Sequence, residues 1–478
     1  MTKNEQGFPL CVDCDGTLLR TDLLHEAVFL LAKQYPQGLF LLPFWLLRGK
    51  VYLKERLVQH VQFDWSTLPY HEDVLALIAE AREHGRKIIL ATASPRVWAE
   101  GIAKHLGIFD GVIATENGVN LSGVNKAEQL VSLHGDKGFD YAGNGRSDIP
   151  VWKRARQAVV VSSSPRLIAS SHAATAVSHV FSAKRAGPMT YLRALRVHQW
   201  LKNLLVWVPV LAAHKAGSLA GMLDAGLAFV SFSLCASAVY VLNDLLDLES
   251  DRQHVRKRKR PFASAHIPLW QGSLMVPLLL CLSVGIALLL PNEFLIVLVA
   301  YFTMTLVYSV RLKRQVIVDV MLLAGLYTMR IIAGAAATNI VPSFWLLAFS
   351  MFIFLSLAMV KRYSELLITL QQSKQEAAGR GYLVDDLPVL MSIGVSAGMG
   401  AVLVLALYLN NPETNAMYPN KLWLWAVPPI LLYWVSRMWM KTHRGQVDDD
   451  PVVFAARDWQ SLVVLVVSAC IFAAALIK

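Results

Sequence analysis

Three carboxylates crowd the stretch Asn243-Asp244-Leu245-Leu246-Asp247-Leu248-Glu249-Ser250-Asp251, and six Lys or Arg follow between Arg252 and Arg260. Asp244 and Asp247 are three apart and Asp247 and Asp251 four apart, so a helix that continues through them projects all three from one face. Carboxylates gathered in this way repel unless a cation joins them. Hard oxygen donors suit Mg²⁺, which commonly bridges a protein carboxylate to a substrate phosphate. Asn243, Arg258, Arg260 and the neighbouring cations then offer donors for the rest of a diphosphate. The simpler reading, a solvated helix end carrying cytoplasmic charge, accounts for the cations but gives the aspartates no use.

A second acidic pair closes a short apolar strand near the start of the chain: Phe8 to Cys14 runs into Asp13-Cys14-Asp15-Gly16-Thr17-Leu18. The tight loop presents two carboxylates, with Gly16 relieving the turn. This stretch resembles motif I of the haloacid-dehalogenase-like (HAD) phosphohydrolases. The resemblance implies Asp13 as nucleophile and Asp15 as general acid and base. It also implies a phosphate contact from Thr92, at the end of a second apolar strand, and a neutralising Lys126. Mg²⁺ would be held by Asp13 and Asp15 with Asn144 and Asp148 of Asp140-Tyr-Ala-Gly-Asn144-Gly-Arg-Ser-Asp148. Asn144 departs from the family's pattern: it brings a carbonyl oxygen but no charge, so metal affinity should fall. The resemblance covers about 8–168 and implies a parallel α/β sheet. An insert at about 22–72 reads as a helical cap. Its run Leu39-Phe-Leu-Leu-Pro-Phe-Trp-Leu-Leu-Arg48 is too short to span a bilayer, and it reads either as the core of the cap or as a segment lying in the membrane surface.

The elements that must position these residues divide in two. The chain has 478 residues, 55% of them hydrophobic, and the apolarity is uneven. Residues 1–168 read as a soluble domain, 169–198 as a Ser/Ala/His-rich linker ending in a basic amphipathic interfacial helix, and 199–478 as an all-α membrane domain. Nine apolar segments are expected, at about 199–213, 219–242, 272–290, 293–310, 316–338, 343–360, 389–409, 422–440 and 459–477. Loops after the second, fourth, sixth and eighth carry sixteen Lys or Arg, the intervening loops only Lys215 and Lys421, so the basic loops and the N-terminal domain are expected in the cytoplasm. The net charge of +11 is then a topology signal rather than a sign of nucleic-acid binding. Five scattered cysteines give neither a disulfide framework nor a zinc site, and Met1–Leu10 lacks the apolar region of a signal peptide.

Polar residues in or beside these segments are costly and point to function: Lys202, Asn203, Tyr308, Lys313, Asp319, Arg330, Lys361 and Arg362. Asp319 and Arg330 are eleven apart, three helical turns, and so share a face. Together with the first aspartate motif, the basic stretch ending Arg260-Pro261 and Asp319 opening the fifth segment, they resemble the UbiA-type prenyltransferase superfamily over about 190–478. The finer pattern is most similar to its decaprenyl-phosphate phosphoribosyltransferase branch: Gln199-Trp-x-Lys202-Asn203, Tyr308-Ser-x-x-Leu-Lys313, Arg330-x-x-Ala-Gly334, Lys361-Arg362-Tyr-x-Glu365 and Asp449-Asp450-Pro451-Val452.

That resemblance implies a Mg²⁺-dependent enzyme of the bacterial plasma membrane with phosphoribosyl pyrophosphate (PRPP) and a polyprenyl phosphate as substrates. Asp244 and Asp247 are its central catalytic residues, and Asp251 completes the metal set. The HAD-like domain would then remove the product's 5-phosphate, within a route to arabinose for glycans. Three other readings stay open: an aromatic prenyltransferase using a polyprenyl diphosphate, a HAD domain that binds without turning over, and, more weakly, a transporter. A homo-oligomer is compatible with all of them.

Overall fold

The computed structural model describes residues 7–116, 118–182, 186–215, 217–371, 381–411, 418–447 and 450–477. Lys184, Arg185, Asp448, Asp449 and Lys478 lie outside the described residues. The chain forms two compact units, Met1–Leu195 with Tyr240–Val276, and Arg196–Val239 with Pro277–Lys478.

The first unit is built on six parallel strands: β1 (Leu10–Val12), β2 (Ile88–Pro95), β3 (Gly111–Thr115), β4 (Asp140–Gly143), β5 (Gln157–Val161) and β6 (Ala176–Phe181), in the order β3-β2-β1-β4-β5-β6. Leu10 stands between Ile88 and Asp140 in register. Apolar residues on both faces of each central strand let helices cover the sheet on both sides, as parallel sheets require: Leu10 and Val12 join one core, Cys11 and Tyr141 the other. The reversal of strand order at β1 opens a crevice at the carboxyl ends of β1, β2 and β4. Residues 169–181, expected in a linker, instead finish a helix (Pro165–Ala174) and form β6 on the sheet's edge. Alternation along Ala176–Phe181 marks a half-exposed edge strand and reads weakly in sequence.

The insert is helical. It comprises α1 (Leu23–Gln34), turns at Pro36–Phe40 and Leu42–Leu47, and α2 (Lys50–His60). Its apolar run is not a cap core: within Leu39–Arg48 only Trp45 is buried, while Phe40, Phe44 and Leu47 are 80%, 65% and 85% exposed.

The same unit holds the aspartate stretch. Helix α3 (Leu219–Leu246) ends one residue before Asp247, and α4 (Leu248–Gln253) starts one residue after it. The helix therefore does not continue unbroken through the three aspartates. Val241, Leu245, Leu248, Phe262, Ile267 and Leu269 pack into one cluster, joined by Phe29 of α1.

In the second unit, α5 (Leu269–Ala287), whose first turns belong to the first unit, leads to α6 (Asn292–Val310), α7 (Val318–Ala337), α8 (Phe344–Gln371), α9 (Leu387–Leu409), α10 (Val427–His443), α11 (Pro451–Arg457) and α12 (Trp459–Leu476). Seven helices among the described residues are long and apolar enough to cross a membrane: α3, α5, α6, α7, α8, α9 with its lead-in turn, and α12. Of the nine expected segments, the first is a 3₁₀ stretch, Val197–Trp207, followed by the short helix Val208–Ala212. The eighth is α10, 17 residues long.

Gly334 lets the 3₁₀ stretch lie directly on α7: a Cβ there would stand 1.9 Å from the Val206 carbonyl oxygen. A backbone atom cannot step aside as a side chain can. Gly334→Ala is therefore expected to cost about 2 kcal/mol or more, read as a lowered midpoint of thermal unfolding in detergent. An unchanged midpoint would contradict this packing.

Candidate active sites

Asp13 leaves β1 at the crevice. Its Oδ1 accepts from the Cys14 N–H at 2.9 Å and from Lys126 Nζ at 2.8 Å. Lys126 also donates to Tyr141 Oη at 2.9 Å, and that hydroxyl donates to Asp148 Oδ1 at 3.0 Å. Asp15 accepts from the Leu23 N–H at 2.8 Å, at the first turn of α1, and from the Ser94 hydroxyl at 2.7 Å. Thr92, fully buried, accepts from the Ser94 N–H at 3.0 Å. Gly16 adopts φ +74° beneath the Asn144 amide, which would lie 2.0 Å from any Cβ. Asp13, Asp15, Thr92, Lys126, Asn144 and Asp148 thus gather as the motifs imply, and Ser94 and Tyr141 join them unforeseen.

Burial pushes the Asp13 carboxyl up to about 7, against the pull of Lys126 and with the help of the Asp148 charge. Asp15 is raised by burial and by Asp22 nearby. Burial works against the Lys126 ammonium, but Asp13 and Asp148 hold it above its ordinary value.

The expected Mg²⁺ set in this lobe is poorly matched. Asp148 gives one oxygen to Tyr141 and the other to the N–H groups of Asn144 and Gly145, both at 2.9 Å. Asn144 adds no charge, and among the described residues no three His, Cys, Asp or Glu side chains gather as a metal site.

The aspartate stretch has a different logic. Asp244 and Asp251, each 2% exposed, converge on one guanidinium: Arg260 Nη1 lies 3.2 Å from Asp244 Oδ1 and 2.6 Å from Asp251 Oδ2. Burial raises the Asp251 carboxyl, Arg260 opposes this and Asp244 adds to it. A cation of the chain itself bridges two hard-oxygen donors of a kind that suits Mg²⁺, and the expected third carboxylate, Asp247, does not gather with them into a three-residue metal group. Asp247 sits at the helix break, half-buried, its N–H bonded to the Asn243 carbonyl at 2.9 Å. Arg258 is exposed in the turn Lys257–Lys259.

This loop is bonded to the α/β lobe. Arg252 Nη1 and Nη2 donate to Glu26 Oε2 and Oε1 at 3.1 and 2.6 Å, with side chains 8% and 3% exposed. The Thr21 hydroxyl adds a bond to Glu26 at 2.8 Å, and Arg252 Nε donates to the Ala263 carbonyl at 3.0 Å. The visible signal was a carboxylate among the buried positions of α1, between Leu23 and Ala27, where an amphipathic helix keeps apolar side chains.

In the second unit the expected residues form two knots. Asp319, wholly buried, accepts from the Arg362 guanidinium and from the Tyr308 hydroxyl at 2.8 Å, and Arg362 also donates to Glu365. Asn203 links the Ser233 hydroxyl, at 2.9 Å, to Arg330 Nε, at 2.8 Å. Arg330 lies among the rings of Phe232, Tyr301 and Tyr327 and donates to the Tyr301 hydroxyl. Lys202 Nζ donates to Asp450 and sits over the Tyr327 ring. Lys361 shares the electrostatic neighbourhood of Lys202, Glu365 and Asp450. Burial works against the Asp450 carboxylate, yet Lys202 and Lys361 hold it below its usual range. Asp450 also caps α11, as its place before Pro451 allows. Lys313 lies in the turn Leu312–Arg314 after α6. Arg437 and Lys441 both bind Asp458 and are engaged structurally.

A parallel α/β lobe carrying a DxDGT loop, on a chain with seven membrane-length apolar helices among the described residues, defines a multi-pass membrane protein with an α/β domain. Residues 204–475 match the UbiA prenyltransferase family and residues 10–153 the haloacid dehalogenase-like hydrolases. The chain belongs to the UbiA prenyltransferase family, with a HAD-like domain at its N-terminal side. It is 36% identical over 457 residues to protein y4nM of Sinorhizobium fredii, covering 95% of this chain and 88% of that one. It is 38% identical over 179 residues to the decaprenyl-phosphate phosphoribosyltransferase of Mycobacterium tuberculosis, covering 37% of this chain and 59% of that one. A solved UbiA homologue from Archaeoglobus fulgidus, bound to GPP and Mg²⁺, is 16% identical, covers 59% of this chain and 99% of its own, and has a TM-score of 0.46.

Removing one partner of the Glu26–Arg252 pair strands a buried charge. Glu26→Ala and Arg252→Ala are each expected to cost about 3 kcal/mol, while the double variant costs much less than their sum. Thermal unfolding of the four proteins in detergent reads this directly. Additive effects would contradict the pairing.

Proposed function

We propose that the protein transfers 5-phosphoribose from PRPP to a polyprenyl phosphate and then removes the 5-phosphate, leaving polyprenyl-phosphoryl ribose. The observation that carries this reading is the Glu26–Arg252 bond. A lobe with phosphomonoesterase-type residues is fastened to the loop that bears the transferase aspartates. Two such sites in one chain call for a transfer product that keeps a phosphate monoester. Phosphoribosyl transfer leaves one. Prenyl transfer from a diphosphate to an aromatic acceptor does not. The likeness to a decaprenyl-phosphate phosphoribosyltransferase supports the same choice.

In the transfer step a phosphate oxygen of the lipid attacks C1 of the ribose. The C1–O bond to pyrophosphate breaks and pyrophosphate leaves. The nucleophile is already ionised at neutral pH, so no strong base is required. Asp244, Asp247 and Asp251 would hold Mg²⁺, which supplies charge to neutralise the leaving group. Arg260 moves from the carboxylates to the diphosphate, beside Arg258 and Asn243. Lys202 and Lys361 receive the lipid phosphate, with Asp450 released from Lys202. Tyr308, Lys313, Asp319 and Arg362 are the second unit's further polar groups for the substrates, with Asn203 and Arg330 bonded to each other beside the aromatic rings.

In the second step Asp13 attacks the 5-phosphate phosphorus. The P–O bond breaks, and Asp15 protonates the departing ribose oxygen. Asp15 then takes a proton from the water that opens the aspartyl phosphate, and inorganic phosphate leaves. Lys126 and Thr92 neutralise and orient the phosphoryl oxygens. The lobe and both sites face the cytoplasm, at the bacterial plasma membrane. No nucleic acid takes part.

With labelled PRPP and a polyprenyl phosphate in liposomes, Asp244→Asn and Asp247→Asn are each expected to lower labelled lipid about a hundredfold or more. Retained transfer in both would overturn the assignment.

The nucleophile acts as a carboxylate, and Asp13 gains its proton as pH falls through about 7. Phosphate release is therefore expected to drop roughly tenfold per pH unit on the acid side of that value. A flat profile down to the ordinary carboxylate range would contradict the buried Asp13.

A further inference from the structure

Neither site uses the exposed run after α1. Phe40 ends the 3₁₀ stretch Pro36–Phe40, Phe44 and Leu47 stand three apart on the short helix Leu42–Leu47, and the three are 80%, 65% and 85% exposed. Leu39, Leu41 and Leu46 extend the patch. The ridge is held in place from behind: Trp45 turns inward, its ring centroid 5.5 Å from that of His60 on α2. Water-soluble surfaces rarely leave so continuous an apolar patch uncovered.

The lobe's own attachments say what lies nearby. Phe29 of α1 packs against the cluster formed by Val241 and Leu245, at the end of α3, and Leu269, at the start of α5. Lys33 of α1 pairs with Glu249 at 3.4 Å. Leu39 is six positions on from Lys33, at most about 20 Å of extended chain. The start of the ridge therefore lies within that reach of Lys33, one turn of α1 beyond the Phe29 that packs on the ends of two membrane-length helices. Charge agrees: residues 36–50 contain Arg48 and Lys50, both exposed, and no acid. Apolar side chains beside cations suit the headgroup zone of an anionic leaflet.

We propose that the Phe40–Phe44–Leu47 ridge is embedded in the surface of the bilayer that the chain itself spans, with Arg48 and Lys50 at lipid phosphates. The ridge is a second, peripheral membrane contact that holds the HAD-like lobe against the leaflet. This holds whatever either site catalyses.

The test uses the full chain with Cys281 and Cys470, its two exposed cysteines, changed to serine. Phe44→Cys carries an NBD fluorophore, and Lys104→Cys, exposed on the helix Arg96–Leu106, serves as reference. Both are reconstituted in vesicles of phosphatidylethanolamine and phosphatidylglycerol. Spin-labelled lipid is expected to quench the label at position 44 several-fold more than at 104, and aqueous iodide several-fold less. Leu47→Cys, on the same short helix, is expected to repeat the result and covers the case in which Phe44→Cys folds poorly. Equal iodide quenching at the ridge and at 104 would overturn the proposal. So would shielding from both quenchers with position 44 cross-linking between two chains, which would make the ridge a contact between copies.

Discussion

The guanidinium of Arg252 and the carboxylate of Glu26 meet out of water, and the first unit depends on that meeting. Two buried charges are tolerated only where each is paired and its remaining hydrogen-bonding capacity is met. Thr21 completes Glu26, and the Ala263 carbonyl completes Arg252. The helix that carries Glu26 begins with the N–H that holds Asp15. One short helix therefore touches the phosphatase-type loop at its start and the transferase aspartate loop one turn later. Phe29, a turn further on, adds apolar burial to the ionic bond.

The membrane helices face the same electrostatic problem with less water to help. Two of their charged groups are met by partners from the chain, Asp319 by Arg362 and Tyr308 and Arg330 by Asn203 and three aromatic rings, and outside these helices Lys202 is met by Asp450. Under the proposed reaction two of the chain's own ions stand in for ligands. Arg260 bridges Asp244 and Asp251 as a divalent cation would, and Asp450 meets Lys202 as a substrate phosphate would. Binding then becomes an exchange of ion pairs, which spares each substrate part of the cost of desolvating a bare charge.

Much of this was legible in the sequence because the signals are local. A strand ending in DxDGT, an apolar run ending in aspartates, and cations on alternate loops each carry their meaning within a few residues. The sheet, the helical membrane domain and the gathering of Asp13, Asp15, Lys126 and Asp148 followed from them. What could not be read depends on long-range partners. Glu26 and Arg252 are 226 residues apart, and Lys202 and Asp450 are 248 apart. Arg260 looked like a diphosphate ligand, but its placement between two aspartates needed the loop to fold back. The break at Asp247 was hidden because Leu245 and Leu246 before it and Leu248-Glu249 after it are all compatible with one helix. Strand β6 was lost to its own half-exposed alternation, and the Leu39–Arg48 run stayed open between a cap core and a membrane-surface segment because composition alone does not say which side chains are covered.

The most direct test of a transferase and a phosphatase working in one chain is the mass of the lipid product. Purified full-length protein in liposomes is given Mg²⁺, PRPP and a polyprenyl phosphate, beside an Asp13→Asn variant. The wild type is expected to yield polyprenyl-phosphoryl ribose and the variant its 5-phosphate. The 5-phosphate from both would contradict a working phosphatase lobe, and no ribosylated lipid from either would contradict the transfer itself.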